Sequence, residues 1–311
     1  MTDHMQGDSQ SAMNFGNVLV TGSGGLLGRH VMRELRAHCS VTGFDQKHDV
    51  DDVPQTTGDI TDIAVVRDAC AGKDAIVHLA AMPNIWSGTG ERILDVNVLG
   101  TWNVLQAAEE VGARRVILCS SDSVVGFTVL SGGMRAPEYA PVGAGHPLRP
   151  TDPYALSKLL GEEIGRSFVE RGTLEVIALR PVFVLYEEMY GEVKARAADP
   201  ANYSGPAVGG PSAAGGGPLW HYVDPRDVAR AFRLALEVPV LPMFEGLYIS
   251  ARSTLAPEPT IERLERYLGQ KVDLRNPDVY AQNPHAPLYD LSRARDVIGY
   301  EARHDLRYLI N

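Results

Sequence analysis

Tyr154 and Lys158 stand four residues apart in a stretch whose apolar residues recur at helical spacing. On a helix that separation puts both side chains on one face. A phenol with its ordinary pKa of about 10 is a poor base at neutral pH. An ammonium one turn away stabilises the phenolate and lowers that value, and a second positive charge nearby would lower it further. The phenolate can then take a proton from a substrate hydroxyl while hydride leaves the same carbon. Ser121 follows an apolar run at residues 115–120 and would hydrogen-bond the substrate oxygen, fixing its position. The Tyr-x-x-x-Lys pair alone is a weak signal, and its weight comes from what precedes it in the chain.

What precedes it begins at Val18-Leu19-Val20-Thr21, a short apolar run leading into Gly22, Gly25 and Gly28 in the order T-G-x-x-G-x-x-G. This reads as a strand, a glycine turn and a helix start. Backbone N–H groups in such a turn can approach a diphosphate, and the helix N-terminus adds partial positive charge. Gly22 permits the tight turn, Gly25 removes a Cβ where phosphate comes close, and Gly28 lets helix and strand pack. A second strand, residues 41–45, ends in Asp45 about 20 residues beyond the turn, where a carboxylate can accept hydrogen bonds from both adenosine ribose hydroxyls. A 2′-phosphate would be repelled there, which favours NAD over NADP, although Lys47 and His48 keep NADP open.

Helix at residues 26–37 and strand at 75–79 continue the alternation. Asp59 could face the adenine, and Thr61 or Asp62 caps the next helix. Small residues after a strand end, Ala80-Ala81, let a cofactor lie against the backbone, while His78 reads as a core histidine. Residues 91–111 read as one long helix in which Asn97 is polar among apolar neighbours; a buried Asn needs partners, so it should tie adjoining loops together. Thr151 or Asp152 caps the helix that carries Tyr154 and Lys158, and Pro153 suits its first turn. A strand follows at 175–181. Residues 185–218, rich in Gly, Pro, Ala and Ser, read as a substrate-side flap. Helices at 225–237, 260–268 and 292–298 and a strand at 247–249 complete a smaller C-terminal lobe.

The expected fold is therefore α/β, a Rossmann-type doubly wound parallel sheet with a small substrate lobe. Residues 1–16 form a loose leader, 17–180 the NAD(P)-binding domain, and 181–311 a lobe interleaved with the end of the sheet. With 311 residues, 44% of them apolar, the chain can bury its core without staples. Its net charge of −10 argues against general nucleic-acid or anionic-membrane binding. Three cysteines, Cys39, Cys70 and Cys119, none in a C-x-x-C pair, make a disulfide framework or a structural zinc site unexpected and fit a reducing cytoplasm. No apolar run approaches the roughly 20 residues that span a bilayer.

The whole set of motifs resembles the extended short-chain dehydrogenase/reductases, in particular the NAD-dependent epimerase/dehydratase family. The residues that carry the resemblance run from the glycine turn through Asp45, Asp59-Ile60, Leu79-Ala80-Ala81, Asn97-Val98-x-Gly100-Thr101-x-Asn103-Val104, Ser120-Ser121 and Tyr154-x-x-x-Lys158 to Arg180-Pro181. It implies Tyr154 as base, Lys158 as its partner and holder of the nicotinamide ribose, and Ser121 as donor to the substrate oxygen. It further implies a homodimer through the helices near 91–111 and 153–172. The cofactor contacts on this reading are Gly22, Gly25, Leu26, Leu27, Gly28, Asp45, Asp59, Ile60, Leu79, Ala80, Ala81, Asn97, Tyr154, Lys158, Pro181 and Val182, with NAD the cofactor and NADP second.

Departures from the pattern narrow the substrate. Family members acting on nucleotide sugars usually have Tyr where this chain has Val125, Asn where it has Phe183, and an Arg ahead of Tyr222-Val223, where it has none. Losing Asn and Arg removes charge-assisted contacts that a diphosphate would want. The stretch Ser120–Phe127 is similar to that of uronate dehydrogenases, which oxidise a free sugar acid. Positions suggest Ser121, Ser123, Phe183, Trp220, His221 and Arg226 as substrate contacts. The leading expectation is a dehydrogenase of a small polyhydroxylated or sugar-like substrate, with a nucleotide-sugar epimerase or dehydratase as the alternative.

Overall fold

A computed structural model of the chain describes residues 15–47, 54–127, 134–199, 219–239 and 243–311. Most of the expected leader, His48, and residues 200–218 of the expected flap lie outside the described residues.

Among the described residues, seven strands form one parallel sheet: β1 (Asn17–Thr21), β2 (Ser40–Asp45), β3 (Gln55–Thr57), β4 (Ala75–His78), β5 (Arg115–Cys119), β6 (Glu175–Pro181) and β7 (Glu245–Ile249). Their order is β3-β2-β1-β4-β5-β6-β7. The order reverses at β1, so the crevice between the carboxyl ends of β1 and β4 is the switch point where such sheets take their ligands. Thr21 at the end of β1 stands beside Phe44 on one neighbour and His78 on the other.

The strands read as near-continuous apolar runs because both faces are covered. Val18, Val20, Val77, Ile117 and Ile177 point to the face packed by helices α1 (Leu26–Arg36) and α7 (Pro225–Glu237). Leu19, Ile76, Val116 and Val176 point to the opposite face, under α2 (Ile63–Cys70), α4 (Gly100–Glu110) and α5 (Pro153–Glu170). Burying each such side chain contributes on the order of 1.5–3 kcal/mol.

A wholly buried arginine joins the two ends of the sheet's history. Arg115, first residue of β5, donates Nε to Glu175 at 2.6 Å, and its guanidinium reaches the carbonyls of Ala235, Leu236, Val238 and Pro239 at 3.1, 2.9, 2.7 and 2.6 Å. Those carbonyls are the unpaired end of α7, where a cation is favoured.

The structure differs from the sequence reading in three places. The helix expected at 91–111 begins as α3 (Gly90–Leu94), passes through a π-helical turn at Asp95–Leu99, and resumes as α4. The extra residue of that turn sits where Thr101 Oγ donates to the Asn97 carbonyl at 2.6 Å, and such turns cluster at functional sites. Part of the stretch read as a flap is helical, α6 (Tyr190–Ala198), because Val193 and its neighbours bury against an apolar cluster with Leu185, Trp220 and Tyr222. The short edge strand β3 and helix α9 (Pro277–Gln282) had too few residues to show a period. The remaining helices, α8 (Thr260–Leu268) and α10 (Ser292–Ile298), have the expected limits.

Candidate active site

The glycine turn is built by steric necessity. Gly22 has φ +71°, and a Cβ on it would lie 2.7 Å from the Ala80 nitrogen. A Cβ on Gly28 would lie 2.1 Å from the Gly22 carbonyl oxygen. Gly25 is different: it is the N-cap of α1, offers no side chain, and only one atom lies within contact range of its missing Cβ. The first N–H groups of α1 thus face an open cradle, rimmed by Leu26, which is exposed although apolar. No acid sits in the first turn of α1. A diphosphate fits this cradle by charge and by shape. Asp45 stands beside it, one carboxylate oxygen accepting from Gly24 N at 2.9 Å and the other from Gln46 N at 2.7 Å. Each of those oxygens keeps a lone pair for a further donor.

Across the crevice, Tyr154 is the second residue of α5, whose N-cap is Asp152, accepting from Ala155 N at 2.8 Å. Ser121 lies in extended backbone at the end of β5 and opens a short 3-10 turn, Asp122–Val125, its Oγ accepting from Ser123 N at 3.2 Å. Gly126 closes that turn with φ +76°, where a Cβ would collide with the Arg149 carbonyl. The Ser121 side chain is near enough to the Tyr154 phenol to favour its ionised form. Lys158, one turn along α5, donates Nζ to the Cys119 carbonyl at 2.8 Å and lies 5.8 Å from the centre of the Tyr154 ring.

The charge balance departs from the sequence expectation. Burial raises the Tyr154 phenol well above its ordinary range, helped by the charges of Cys119, Asp122 and Asp152, and the Ser121 hydrogen bond offsets only part of this. Burial also pushes Lys158 down. Burial thus works against ionisation of the phenol.

Behind the pair, a small cavity is lined by Ala80, Ala81, Asn97, Ser120, Lys158 and Glu162, among others. Asn97, in the π turn, uses its whole amide: Oδ1 accepts from Met82 N at 2.7 Å, and Nδ2 donates to Met82 O at 3.1 Å and to Ser157 Oγ at 2.9 Å. It therefore ties the loop after β4 to α5. His78 links Thr21 Oγ at 2.8 Å to Thr101 Oγ at 3.1 Å, and burial holds it neutral, down to about 3. Asn103 donates to the carbonyls of Ile60 and Thr61, and Asp59 accepts from Thr61 N at 2.9 Å and Gln46 Nε2 at 3.2 Å, fixing the loop after β3. The helix cap there is Asp62. Leu79 N bonds to Thr21 O at 3.1 Å, and Pro181 pairs with Ile249 while Val182 is buried beside it.

The structure thus brings the three glycines and Asp45 together on one rim, and Ser121, Tyr154, Lys158, Asn97, Ala80 and Ala81 on the other. The remaining substrate candidates have other partners or places. Trp220 lies in the cluster around α6, with the guanidinium groups of Arg196 and Arg263 at 4.4 and 5.2 Å from its ring centre, and Phe183 packs against the same cluster. Arg226 pairs at 2.7 Å with Asp224, the N-cap of α7. His221 accepts from Leu288 N at 3.0 Å, which pins the Leu288–Tyr289 backbone over the site. The Ser123 hydroxyl is buried with no partner.

Sequence reasoning passed over Asp122 and Tyr289. Asp122 Oδ1 lies 3.3 Å from Ser121 Oγ, and Oδ2 accepts from the Tyr289 hydroxyl at 2.8 Å. An acid between two serines reads as a turn cap, and nothing local marks its partner 167 residues on. It also passed over Glu162, which chelates Arg180 and accepts from Ser120 Oγ. Among the described residues, no group of three His, Cys, Asp or Glu side chains is disposed to hold a metal ion, and no helix is long and apolar enough to cross a membrane.

Comparison with known proteins agrees with this geometry. Residues 18–242 match the model of the NAD dependent epimerase/dehydratase family. The chain is 30% identical over 167 residues to the L-arabinose 1-dehydrogenase (NAD(P)(+)) of Haloferax volcanii and 29% identical over 174 residues to the uronate dehydrogenase of Pseudomonas putida. These matches take in 52% and 53% of this chain, and 65% and 60% of those relatives, under two thirds of either. Among solved structures, MoeE5 in complex with UDP-glucuronic acid and NAD superposes with TM-score 0.69 at 25% identity, covering 95% of this chain and 96% of that one. An Agrobacterium tumefaciens short-chain dehydrogenase/reductase superfamily protein with bound NAD gives TM-score 0.69 at 25% identity, covering 94% of each chain. The chain belongs to the NAD-dependent epimerase/dehydratase family.

Proposed function

We propose that this family member is an NAD-dependent dehydrogenase that moves hydride between a hydroxyl-bearing carbon of a small polyhydroxylated or sugar-like substrate and nicotinamide. The observation that carries the reading is the meeting of Ser121, Tyr154 and Lys158 across the sheet's switch point from an open glycine cradle. The cradle, with the backbone of Gly22, Gly25, Leu26, Leu27 and Gly28, would hold the diphosphate, and Asp45 would accept from the adenosine ribose, which favours NAD over NADP. NAD, when bound, supplies the hydride acceptor and a positive ring.

Ser121 would position the substrate oxygen, and Tyr154 would take its proton at the phenol oxygen. Because burial disfavours the phenolate, positive charge brought to the site would help the phenol act as base. Lys158 contributes one such charge and has N–H groups to spare for a ribose hydroxyl beyond its bond to the Cys119 carbonyl. Asn97 would keep α5 and the loop after β4 in register while this happens.

The alternative is a nucleotide-sugar epimerase or dehydratase in which the cofactor is reduced and reoxidised in place, favoured by the likeness to MoeE5 with its bound UDP-glucuronic acid. Absorbance at 340 nm with NAD and free sugars separates the two, since an epimerase releases no NADH. Tyr154→Phe should lower turnover at least a hundredfold while sparing NAD binding, measured by quenching of protein fluorescence. Activity within tenfold of wild type would remove Tyr154 from its role.

The same reading divides the chain into a cofactor domain, 17–180, and a substrate lobe, 181–311, and places it in the cytoplasm as a homodimer. Leu99 and Trp102 of the π turn and α4, and Leu156 and Leu160 of α5, are exposed apolar side chains on the paired helices where a second copy would dock.

A further inference from the structure

We propose that Asp122 determines substrate class at this site: its carboxylate accepts hydrogen bonds from a hydroxyl neighbouring the reacting carbon, and so selects an uncharged sugar or polyol over a sugar acid. This rests on the reading of Ser121 and Tyr154 as the groups that meet the substrate oxygen.

Asp122 follows Ser121 directly and starts the same 3-10 turn, so its place is fixed by the turn that fixes Ser121. Its carboxyl lies 3.3 Å from Ser121 Oγ and close enough to Tyr154 for its charge to act on the phenol. The residue as a whole keeps partial exposure where Ser121 is nearly closed off. Its known partners are neutral: the Tyr289 hydroxyl at 2.8 Å, the Ser121 hydroxyl and nearby backbone. No lysine or arginine side chain pairs with it among the described residues. An ionised carboxylate has about four lone-pair sites and no donor, so what remains can be satisfied only by a donor such as a substrate hydroxyl. A substrate carboxylate in that position has no proton to give and meets a like charge at contact distance with no cation between them, which should disfavour it on the order of a hundredfold.

Tyr289 keeps this arrangement rigid. Its ring stacks on Tyr248 at 4.7 Å and lies 5.2 Å from the His221 ring, and His221 holds the neighbouring Leu288 N–H. Asp122 therefore cannot swing aside to admit an anion without losing the hydroxyl that anchors it. Burial lifts the Asp122 carboxyl to about 6, which leaves it ionised at neutral pH and above.

The test compares matched neutral and acidic substrates on full-length protein with NAD: D-galactose against D-galacturonate, D-glucose against D-glucuronate, and UDP-glucose against UDP-glucuronate, with NADH followed at 340 nm and products by chromatography. Wild type should favour the neutral member of the pair it accepts by about a hundredfold in kcat/KM. Asp122→Asn, of the same shape, should lower that ratio at least tenfold, as should Asp122→Ser. A ratio of two substrates on one preparation is insensitive to the fraction of folded enzyme, so a partly unfolded variant still gives an answer. Preference of wild type for the acid, a ratio unmoved in both variants, or turnover of none of the three pairs would overturn the assignment. Conversion of the UDP pair without NADH release would instead sink the dehydrogenase reading, while its neutral-to-acid ratio would still decide the role of Asp122.

Discussion

Removing Arg180 should unfold much of the protein's margin of stability, and removing its partner as well should restore most of it. Arg180 and Glu162 are both buried and joined twice, Nε to Oε1 at 2.9 Å and Nη2 to Oε2 at 2.6 Å, with Ser120 Oγ donating to the same carboxylate. In Arg180→Met the carboxylate of Glu162 keeps one hydroxyl donor and loses its cation. Stranding a buried charge in this way costs about 3–5 kcal/mol, out of a total stability of roughly 5–15 kcal/mol. Glu162→Met strands the guanidinium instead, but its contact with the Tyr248 ring at 5.2 Å should retain up to about 2 kcal/mol, so this variant should be the milder. The double variant replaces both ions by apolar volume and should fall within about 2 kcal/mol of wild type. Urea unfolding followed by far-ultraviolet circular dichroism measures all four proteins. The coupling should be at least 2 kcal/mol. Single variants that each cost under 1 kcal/mol and add to the double within about 0.5 kcal/mol would refute the reasoning.

Two further outcomes can be checked directly. His78 and His221 are both pushed down to about 3 by burial, so the unfolded chain, with histidines near 6.5, binds their protons first and stability must fall as pH drops below that value. At pH 5 each should forfeit about 2 kcal/mol and Asp122, lifted to about 6, should return somewhat over 1, a net loss of about 3 kcal/mol against pH 7.5; equal urea midpoints at the two pH values would contradict this. For the proposed homodimer, Leu156→Glu with Leu160→Glu should convert a dimer to monomer in sedimentation velocity, and a wild-type monomer at micromolar concentration would end that proposal.

What could be read from the chain was local. The glycine turn, the caps of α2 and α5 and the Tyr154/Lys158 face each depend on residues within one or two turns, and their spacing shows in the sequence. Asn97 could be marked as a buried amide in need of partners, though not which ones. The π turn could not, because an apolar period over five residues does not separate it from α-helix. Long-range pairings left no local trace: Asp122 with Tyr289, Glu162 with Arg180, and Arg115 with the end of α7 join segments that only the fold brings together. His221 and Trp220 show the converse. Their residue types and positions suggested substrate, while the structure engages one with a backbone N–H and packs the other near two arginines. The sign of the Tyr154 shift also depended on a quantity no sequence carries, the depth at which the phenol is enclosed.

The guanidinium at the root of β5 has a bearing on how the polypeptide is made. Its carbonyl ligands come 120 to 124 positions later, so a nascent chain that has left the ribosome only as far as β6 holds this cation with a single carboxylate partner. Glu175 alone can answer it until the segment ending at Pro239 emerges. The first six strands therefore leave the shell of Arg115 incomplete, and the proposed boundary near residue 180 cuts across it.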